Sequence, residues 1–316
     1  MALEIKDNVV TGYTHEPGMD EITIPDGVTE IAPRVFFGSK LYKVNFPNTL
    51  KKIGDSAFEF SRNLQYAHLP DSVEDLGERC FAVTMLKEVN IPAKVTVLKN
   101  GVFDGCMGYG SLTVPGHVKE IGPMVFSANR AVRTVVLEEG IEKLGRRAFN
   151  GNPELEELVF PRSIKEVDSY AFDGSGAPKK VVIPGTVKKI WKEFLCGNMG
   201  VREVVLEEGV EEIDVRAFAY CSKLEKITIP STLKKIGFRA FSGCTGLKEI
   251  VLPEGIEEIP DYAFYACRSL KEIGLPKSVK KVGSNAFCFC DELETVRGIE
   301  RAEIGALAFD GTKVRI

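Results

Sequence analysis

The chain repeats itself at a fixed interval of 22 or 23 residues. Residues 224–244 read LEKITIPSTLKKIGFRAFSGC, and nearly the same pattern returns at residues 247–267 and 270–290. A repeat of this length predicts a solenoid, because one such unit cannot bury its apolar face alone and must stack on its neighbours. The 316 residues are therefore expected to form an array of coils rather than one globular core.

A large apolar residue, nearly always phenylalanine, marks each of thirteen repeats. These ring positions are Phe36, Phe58, Phe81, Phe103, Phe126, Phe149, Phe172, Leu195, Phe218, Phe241, Phe264, Phe287 and Phe309. The residue before each ring is usually small, which predicts a core in which rings and small side chains of stacked coils interdigitate. One repeat reverses this order with Phe194-Leu195, so we expect the core around Pro178 and Trp191 to repack rather than to open into a pocket.

Each repeat also carries the signature of a short strand. An alternating run such as Ile227-Thr228-Ile229 precedes a proline in most copies, which predicts a half-buried strand that the proline ends. The stacked strands should form one parallel sheet, and residues 237–241 are expected to form a single helical turn on the opposite side. Residues 1–18 depart from the repeat, and Asp7-Asn8 predicts a hairpin there. We therefore predict an N-terminal cap at 1–18 and a single solenoid domain at 19–316.

Charged pairs change sign from one repeat to the next. The series is Lys188-Lys189, Glu211-Glu212, Lys234-Lys235, Glu257-Glu258 and Lys280-Lys281. Stacking puts opposite signs side by side, whereas a slip of one coil would put like charges together. We interpret this pattern as control of the register.

The cysteines are expected to be structural. Five of the eight fall in a small polar column three residues after the ring position: Cys106, Cys221, Cys244, Cys267 and Cys290. Short polar side chains suit an inward turn, where they can bond to freed main-chain groups. Cys80 falls in the small column, and Cys196 and Cys288 fall on the outer turn. Neighbouring thiols of the polar column should lie about 4.8 Å apart with parallel side chains that do not face each other, so we expect no disulfides.

Composition excludes several classes of function. The 44% hydrophobic content is ample for burial, and the net charge of -4 gives no basic footprint for nucleic acid. No apolar run is long enough to predict membrane insertion. The first seven residues lack the pattern of a signal peptide, so we expect a cytoplasmic protein, or a cell-surface or secreted one whose signal was removed.

No pattern in the sequence predicts catalysis. His15, His68 and His117 lie in three separate segments without the spacing of a zinc site or a hydrolase triad. The glycines at 105, 108 and 110 precede a strand instead of linking strand to helix, so a turn is favoured over a phosphate loop. We predict no enzyme activity, no metal and no cofactor.

The outward positions of the predicted strands form the candidate binding surface. The candidate residues are Asn45, Tyr66, His68, Asn90, Val136, Val159, Val182, Val205 and Val251. Valines at such positions also stabilise any strand through cross-strand packing, so the row has a structural interpretation beside the functional one. An exposed apolar row on a sheet would suit a partner.

The repeat Leu-x-x-Ile-x-Ile-Pro-x-x-Val-x-x-Ile-Gly-x-x-Ala-Phe-x-x-Cys resembles the BspA-type leucine-rich repeat over residues 19–312. The resemblance implies a curved solenoid with its sheet on the concave side. It also implies an adhesin role, since some members of the family bind host matrix proteins such as fibronectin and fibrinogen. We therefore predict an α/β solenoid, mainly β: a right-handed superhelix of about 13 coils with one parallel sheet on the concave side.

The predicted function is a non-enzymatic binding scaffold for a protein or glycan ligand that contacts the concave sheet. The alternative is a structural module that self-associates weakly through its C-terminal edge, since an uncovered sheet edge invites pairing.

Overall fold

The computed structural model describes residues 2–176 and 178–315; Met1, Ala177 and Ile316 lie outside the described residues. The fold is a β-solenoid of about 13 turns with parallel sheets, which confirms the predicted fold class. Two compact units can be distinguished, Met1–Glu154 and Leu155–Ile316. The predicted division into a cap and a single solenoid domain stays a prediction.

A coil contains up to three elements. We call the strand before the proline position the front strand, the two-residue strand after it the side strand, and the segment around the large apolar residue the phenylalanine turn. In the first unit the strands are β1 (Leu3–Lys6), β2 (Val9–Tyr13), β3 (Glu21–Thr23), β4 (Glu30–Ile31), β5 (Lys43–Asn45), β6 (Lys52–Ile53), β7 (Asp75–Leu76), β8 (Val97–Leu98), β9 (Ser111–Val114), β10 (Glu120–Ile121), β11 (Thr134–Leu137) and β12 (Lys143–Leu144). Front strands among these are β3, β5, β9 and β11.

The second unit follows the same plan. Its strands are β13 (Glu157–Val159), β14 (Glu166–Val167), β15 (Lys180–Ile183), β16 (Lys189–Ile190), β17 (Glu203–Leu206), β18 (Glu212–Ile213), β19 (Lys226–Thr228), β20 (Lys235–Ile236), β21 (Glu258–Ile259), β22 (Glu272–Gly274), β23 (Lys281–Val282), β24 (Thr295–Arg297) and β25 (Glu303–Ile304). A single turn of 3-10 helix lies at Ile299–Arg301. Front strands here are β13, β15, β17, β19, β22 and β24.

The first two strands form the predicted hairpin. β1 and β2 pair antiparallel, and Asp7 and Asn8 between them both have positive φ, 51° and 62°. Two left-handed residues are what a tight two-residue hairpin turn requires, and Asp and Asn tolerate that conformation. β2 then pairs in parallel with β4, so the hairpin covers the first side strand.

Parallel pairing is confirmed, but the predicted single sheet is wrong, because the pairing is divided among several short sheets. In the second unit β16, β18 and β20 form one sheet of side strands and β21, β23 and β25 form another. A physical reason why the first of these sheets does not continue into the second is Pro260, which follows β21 and has no N–H. In the next coil the equivalent N–H, that of Gly283, donates to the carbonyl of Ile259 at 2.7 Å. Proline removes this donor and thereby ends the ladder.

The predicted helical turn is wrong, because only alternate N–H groups of the phenylalanine turn bond within the turn, as those of Ala240 and Ser242 do, and the N–H groups between them bond to the next coil. In one such turn Arg239 and Gly243 are left-handed, with φ of 56° and 77°. This alternation directs the N–H groups of Arg239, Phe241 and Gly243 towards carbonyls of the following coil, at 3.3, 2.9 and 2.7 Å. A left-handed non-glycine residue costs of order 1 kcal/mol or more, and the bonds between coils offset that cost.

The phenylalanine rings stack along the interior of each unit. In the first unit the centroids of Phe36 and Phe58 are 4.8 Å apart with rings 3° from parallel. In the second unit Phe241 and Phe264 are 5.2 Å apart at 7°. The rings at these positions are buried, which confirms the predicted core. Separations of this size are typical of stacked aromatic pairs that contribute about 0.5–1.5 kcal/mol beyond area burial.

The reversed repeat repacks around Phe194 and Leu195 as predicted, but the prediction of no pocket is wrong at Pro178, which lines a groove between β13 and β15. Phe194 and Leu195 are both buried, and the ring of Phe194 lies nearly perpendicular to those of Phe172 and Phe218, at 5.9 and 6.4 Å. An edge-to-face ring therefore replaces the parallel stack where leucine occupies the ring position. Apolar volume is kept, which is the condition under which a core tolerates such an exchange.

The small polar column bonds to carbonyls of the phenylalanine turns in the preceding coil, which confirms its predicted role. Ser61 donates its hydroxyl to the carbonyl of Phe36 at 2.8 Å, and the thiol of Cys244 donates to that of Phe218 at 3.1 Å. All eight cysteines are free and buried, Cys196 and Cys288 included. Burial raises the pKa of the Cys106 and Cys244 thiols to about 12.

Replacing a central ring should be costly. We expect Phe241→Ala to lower the free energy of unfolding by about 3–5 kcal/mol, because the cavity lies between two stacked rings. Urea denaturation followed by circular dichroism measures the change. The control is Phe238→Ala, an exposed ring in the same coil, for which we expect a loss under about 1 kcal/mol. Equal losses in the two variants would contradict a buried stack.

The thiols should be unreactive in the folded protein. A buried thiol with a raised pKa yields little of the nucleophilic thiolate. We expect an aromatic disulfide reagent at mildly alkaline pH to label none of the eight cysteines in the native state, and all eight in concentrated guanidinium. Rapid labelling of Cys106 or Cys244 in the native protein, located by peptide mapping, would show that the polar column opens.

Candidate functional site

The predicted binding surface is the outward side of the front strands, which we call the front face. Successive strand residues point to opposite sides, so every second side chain of a front strand leaves the core. The candidate residues fall in both units. Asn45, Tyr66, His68, Asn90 and Val136 lie in the first unit, and Val159, Val182, Val205 and Val251 in the second.

Aromatic and polar side chains occupy the front face of the first unit. The rings of Tyr42 and Tyr66 meet edge to face at 5.2 Å, and a hydrogen bond with Tyr66 raises the pKa of the Tyr42 phenol. His68 is exposed, and its Nδ1 lies 3.7 Å from a carboxylate oxygen of Glu88. The structure therefore brings Tyr66 and His68 to one exposed patch, to which Tyr42, absent from the predicted set, also belongs.

The two asparagines bond to neighbouring coils. The side-chain amide of Asn45 donates to the hydroxyl of Thr23 at 3.2 Å. Asn90 accepts from the N–H of Leu69 at 2.9 Å and donates to the carbonyl of Leu69 at 2.8 Å, in place of a strand ladder. Val136, on β11, is half-buried. These side chains contribute to the coil-to-coil structure of the face, and the Asn90 amide both accepts and donates a bond there.

In the second unit two valines and a threonine form a row on three paired strands. Val182 of β15, Val205 of β17 and Thr228 of β19 are direct register partners. Val182 is 39% exposed and Val205 is half-buried. The row is thus a continuous β-branched ridge whose backbone is fixed by the sheet.

Val159 is separated from this row by a groove. Val159 is 56% exposed at the end of β13, and the described residues of β13 and β15 share no backbone pairing. A cavity of about 610 Å³ lies between them, lined by Glu156, Glu157, Leu158, Val159, Pro178, Lys179 and Lys180. Pro178 occupies the place where other coils have an inward leucine, and the missing leucine is the sequence signal that could have predicted the groove.

Val251 extends the face on a less regular coil. It is 80% exposed, and its coil is joined to β19 by the single bridge between Lys226 and Glu249. Gly274, in the next coil, has open space beside it. The structure therefore places Val251 on the face without a valine neighbour on that side.

Ion pairs between coils border the valine row. Lys180 bonds to Glu203 at 2.9 Å, and Glu225 accepts from Arg202 and from Lys248, both at 2.7 Å. The hydrogen bonds from Lys248 and Arg202 lower the pKa of the Glu225 carboxyl. The edge of the row is charged but locally neutralised.

The predicted alternation of charge is confirmed on the side strands. Glu211 lies 3.0 Å from Lys234, and Glu212 lies 3.2 Å from Lys189 and 3.1 Å from Lys235. The hydrogen bond from Lys234 lowers the pKa of the Glu211 carboxyl. Opposite charges therefore do meet at these steps between coils.

The two other histidines and Glu208 bond to groups of the protein itself. His117 lies 3.0 Å from the carbonyl of Pro92, and His15 lies 3.0 Å from the hydroxyl of Tyr13. The carboxylate of Glu208 accepts from the N–H of Ser231 at 2.9 Å, which lowers its pKa. Within 2–176 and 178–315 no cluster of three metal-ligating side chains occurs, and no helix there is long and apolar enough to cross a membrane.

Comparison with known proteins gives a consistent picture of the fold. A family model for the BspA type leucine-rich repeat region matches residues 12–133, 119–233 and 211–315. Comparison with curated proteins gives no match.

Solved structures of bacterial leucine-rich repeat proteins are similar to this chain. One from Bacteroides ovatus is 24% identical, with a TM-score of 0.66 over 91% of this chain and 89% of that one. A leucine-rich cell surface protein from Faecalibacterium prausnitzii is 24% identical, with a TM-score of 0.55 over 93% and 92%. A third, from Eubacterium ventriosum, is 20% identical with a TM-score of 0.54 over 98% and 89%. At these identities the likeness shows the fold alone.

The lowered carboxyl pKa values predict acid sensitivity. Glu211, Glu225 and Glu254 have lowered pKa values, through bonds from Lys234, from Lys248 and Arg202, and from the N–H of Lys277 respectively. At a pH near these pKa values, the unfolded chain therefore binds more protons than the folded protein does. Their stabilisation is therefore present above the unfolded value of about 4.3 and is lost as the pH falls through the folded values.

We expect the urea midpoint to be flat between about pH 6 and 5 and to fall below about pH 4.5. Glu225→Gln should make that fall shallower, and about 1 M NaCl should weaken the contribution of the ion pairs. A midpoint that stays constant or rises on acidification would contradict the assignment.

Proposed function

Because the chain belongs to the BspA-type leucine-rich repeat family, we propose that it is a non-enzymatic scaffold that binds a protein partner through the front face of its second unit. The observation that carries the proposal is the row formed by Val182 and Val205 on paired strands, with Val159 and Val251 exposed on the same face.

The chemistry of the row suits a protein interface. Protein interfaces have an apolar centre depleted of charge and a polar rim. Here β-branched side chains form the centre, and the pairs Lys180–Glu203 and Arg202–Glu225 form the rim. Because the rim charges already neutralise each other, a partner is not required to bring a strong net charge.

The row is also preorganised. Its strands are held by hydrogen bonds to neighbouring coils. Inside the same three coils, Phe194 packs edge to face on Phe218 at 6.4 Å, and Phe218 stacks on Phe241 at 5.5 Å. A surface that loses little freedom on binding keeps more of its contact energy. A glycan is the weaker candidate for this unit, because the row offers valines rather than exposed rings.

The adhesin-like role, binding a host or matrix protein, is the finer part of the proposal. It is supported by the family resemblance and by the rigid exposed face. Soluble fibronectin and fibrinogen are therefore the first probes, with a glycan panel as the comparison.

Charge placed on the row should abolish binding without unfolding the protein. We expect the double variant Val182→Lys and Val205→Lys to bind the captured matrix protein at least about tenfold more weakly in surface plasmon resonance. Its melting temperature should change little, because an outward strand position costs at most about 1 kcal/mol. Met199→Lys, a similar change at an exposed position off the front strands, is the control.

Two results would contradict the proposal. Unchanged binding in the double variant would place the site elsewhere, and global unfolding would show that the valines are structural. Binding to the glycan panel alone would transfer the proposal from a protein to a carbohydrate partner.

Self-association through the last coil is the second candidate, and one observation favours it. β25 has a paired strand on one side only within the described chain, and Ile304 and Leu307 are exposed there. Light scattering over a range of concentrations tests it: the apparent mass should rise with concentration in the wild type and stay constant in Ile304→Lys. A constant mass in both would reject assembly.

A further inference from the structure

A corner of the first unit carries a column of side chains that breaks the polar pattern of the surface. The position four residues after the ring is occupied in four successive coils by Arg62, Met85, Met107 and Arg130. We call these four residues the corner column. It lies away from the front strands, so it is distinct from the surface proposed above.

The two methionines form the floor of a groove. A cavity of about 510 Å³ is lined by the corner column together with Val83, Thr84, Asp104, Gly105 and Ala128. Met107 is 43% exposed, whereas Thr84 and Asp104 are buried. The open part of the groove is therefore largely apolar.

Main-chain bonding explains why the methionine coils differ from the arginine coils. The N–H groups of Arg62 and Arg130 bond within their own coils, to the carbonyls of Phe60 and Ala128. Those of Met85 and Met107 bond instead to the preceding coil, at 3.0 and 3.2 Å. The main chain at the two central positions is therefore bonded to the preceding coil. At the two outer positions, those of the arginines, it is bonded within its own coil.

Both arginines are exposed cations without a carboxylate. Over the described chain neither Arg62 nor Arg130 forms an ion pair, and the Arg62 guanidinium lies 5.9 Å from the ring centroid of Phe60. Asp104, which lines the groove, is already bonded to Arg79 at 2.9 Å. In contrast Arg268, at the same position of a later coil, pairs with Asp291 at 2.9 Å.

The spacing of the column defines what it can hold. Arg62 and Arg130 are three coil steps apart, which at about 4.8 Å per step is roughly 14 Å. An extended chain rises about 3.3 Å per residue, so residues four apart in a strand-like segment are separated by about 13 Å. Two acidic residues at that interval would reach both guanidinium groups at once.

We propose that the corner column binds an extended segment of a protein partner with the pattern acidic–x–apolar–x–acidic. The two carboxylates pair with Arg62 and Arg130, and the central apolar side chain enters the groove over Met85 and Met107. Methionine is flexible and polarisable, and it adapts to apolar side chains of different shape. The complementary charges at both ends fix the register of the segment.

Nuclear magnetic resonance of methionine methyl groups tests the proposal on the whole chain. The probe is a synthetic peptide, Ser-Glu-Ser-Leu-Ser-Glu-Ser. We expect saturable shifts of the Met85 and Met107 signals, assigned through Met→Leu variants. Met199, at the same position of a later coil and also exposed, serves as the internal reference and should not shift.

Peptide variants make the test independent of protein folding. Moving the two glutamates next to each other, or replacing the leucine by serine, should weaken binding to the wild-type protein about tenfold. Equal binding of the rearranged peptide would show attraction by net charge only and would overturn the proposal. So would the absence of any shift at Met85 and Met107.

Charge reversal identifies the two cations. We expect Arg62→Glu and Arg130→Glu each to weaken binding at least about tenfold. Arg268→Glu, a matched change at the same coil position, should leave it within about twofold. Wild-type affinity in both reversed variants would overturn the assignment. If either reversed variant fails to fold, Arg→Gln at the same position replaces it, with the same expectation.

Discussion

The packing of one coil on the next is the interaction on which the rest of the structure depends. Two sets of contacts maintain it. Inside, phenylalanine rings stack at 4.8 to 5.9 Å in the regular parts of both units. Around the rim, N–H groups of most phenylalanine turns donate to carbonyls of the following coil. A two-residue side strand has almost no stability of its own, so the coil exists only through its neighbours.

Stacking converts every repeat position into a column. A column of small polar residues bonds to turn carbonyls, as Ser61 and Cys244 do, and a column of alternating charge becomes a series of ion pairs. These columns satisfy their own polar groups, which leaves them little to offer a ligand. The surfaces proposed for binding are the columns in which this internal pairing is absent: the valine row and the corner column.

Irregular coils create the recesses on an otherwise uniform surface. Pro178 replaces an inward leucine beside the groove next to Val159, and Pro260 removes the N–H that would continue a side-strand ladder. Met85 and Met107 lie in coils whose corner bonds to the preceding coil. In each case a local departure from the repeat alters the main-chain bonding of its coil.

The repeat itself predicted the coil number, the buried rings, the parallel strands and the alternating charges, because each of these follows from spacing along the chain. The hairpin was predicted from Asp7-Asn8, in the segment that departs from the repeat, and the stacking of ring on ring was not predicted. Spacing did not predict the left-handed residues of the phenylalanine turns. Each of these turns has two left-handed positions. Glycines such as Gly105 and Gly243 at the second position indicated the conformation there, but the first position is occupied by residues such as Arg239 and Tyr262 that ordinarily avoid it. Their φ is imposed by bonds to the next coil, and a helical turn was the natural expectation without those bonds.

The same distinction holds for the surfaces. The sequence alone determined which side chains leave the core, since strand alternation assigns Val182 and Val205 to the outside. Only the tertiary structure decided which outward side chains already bond to a neighbouring coil, as the Asn90 amide does, and which cations pair with no carboxylate among the described residues, as is the case for Arg62 and Arg130. The physical reason is that a shift of about an ångström between atoms of neighbouring coils makes or breaks a hydrogen bond or an ion pair. The repeat specifies only which residues become neighbours.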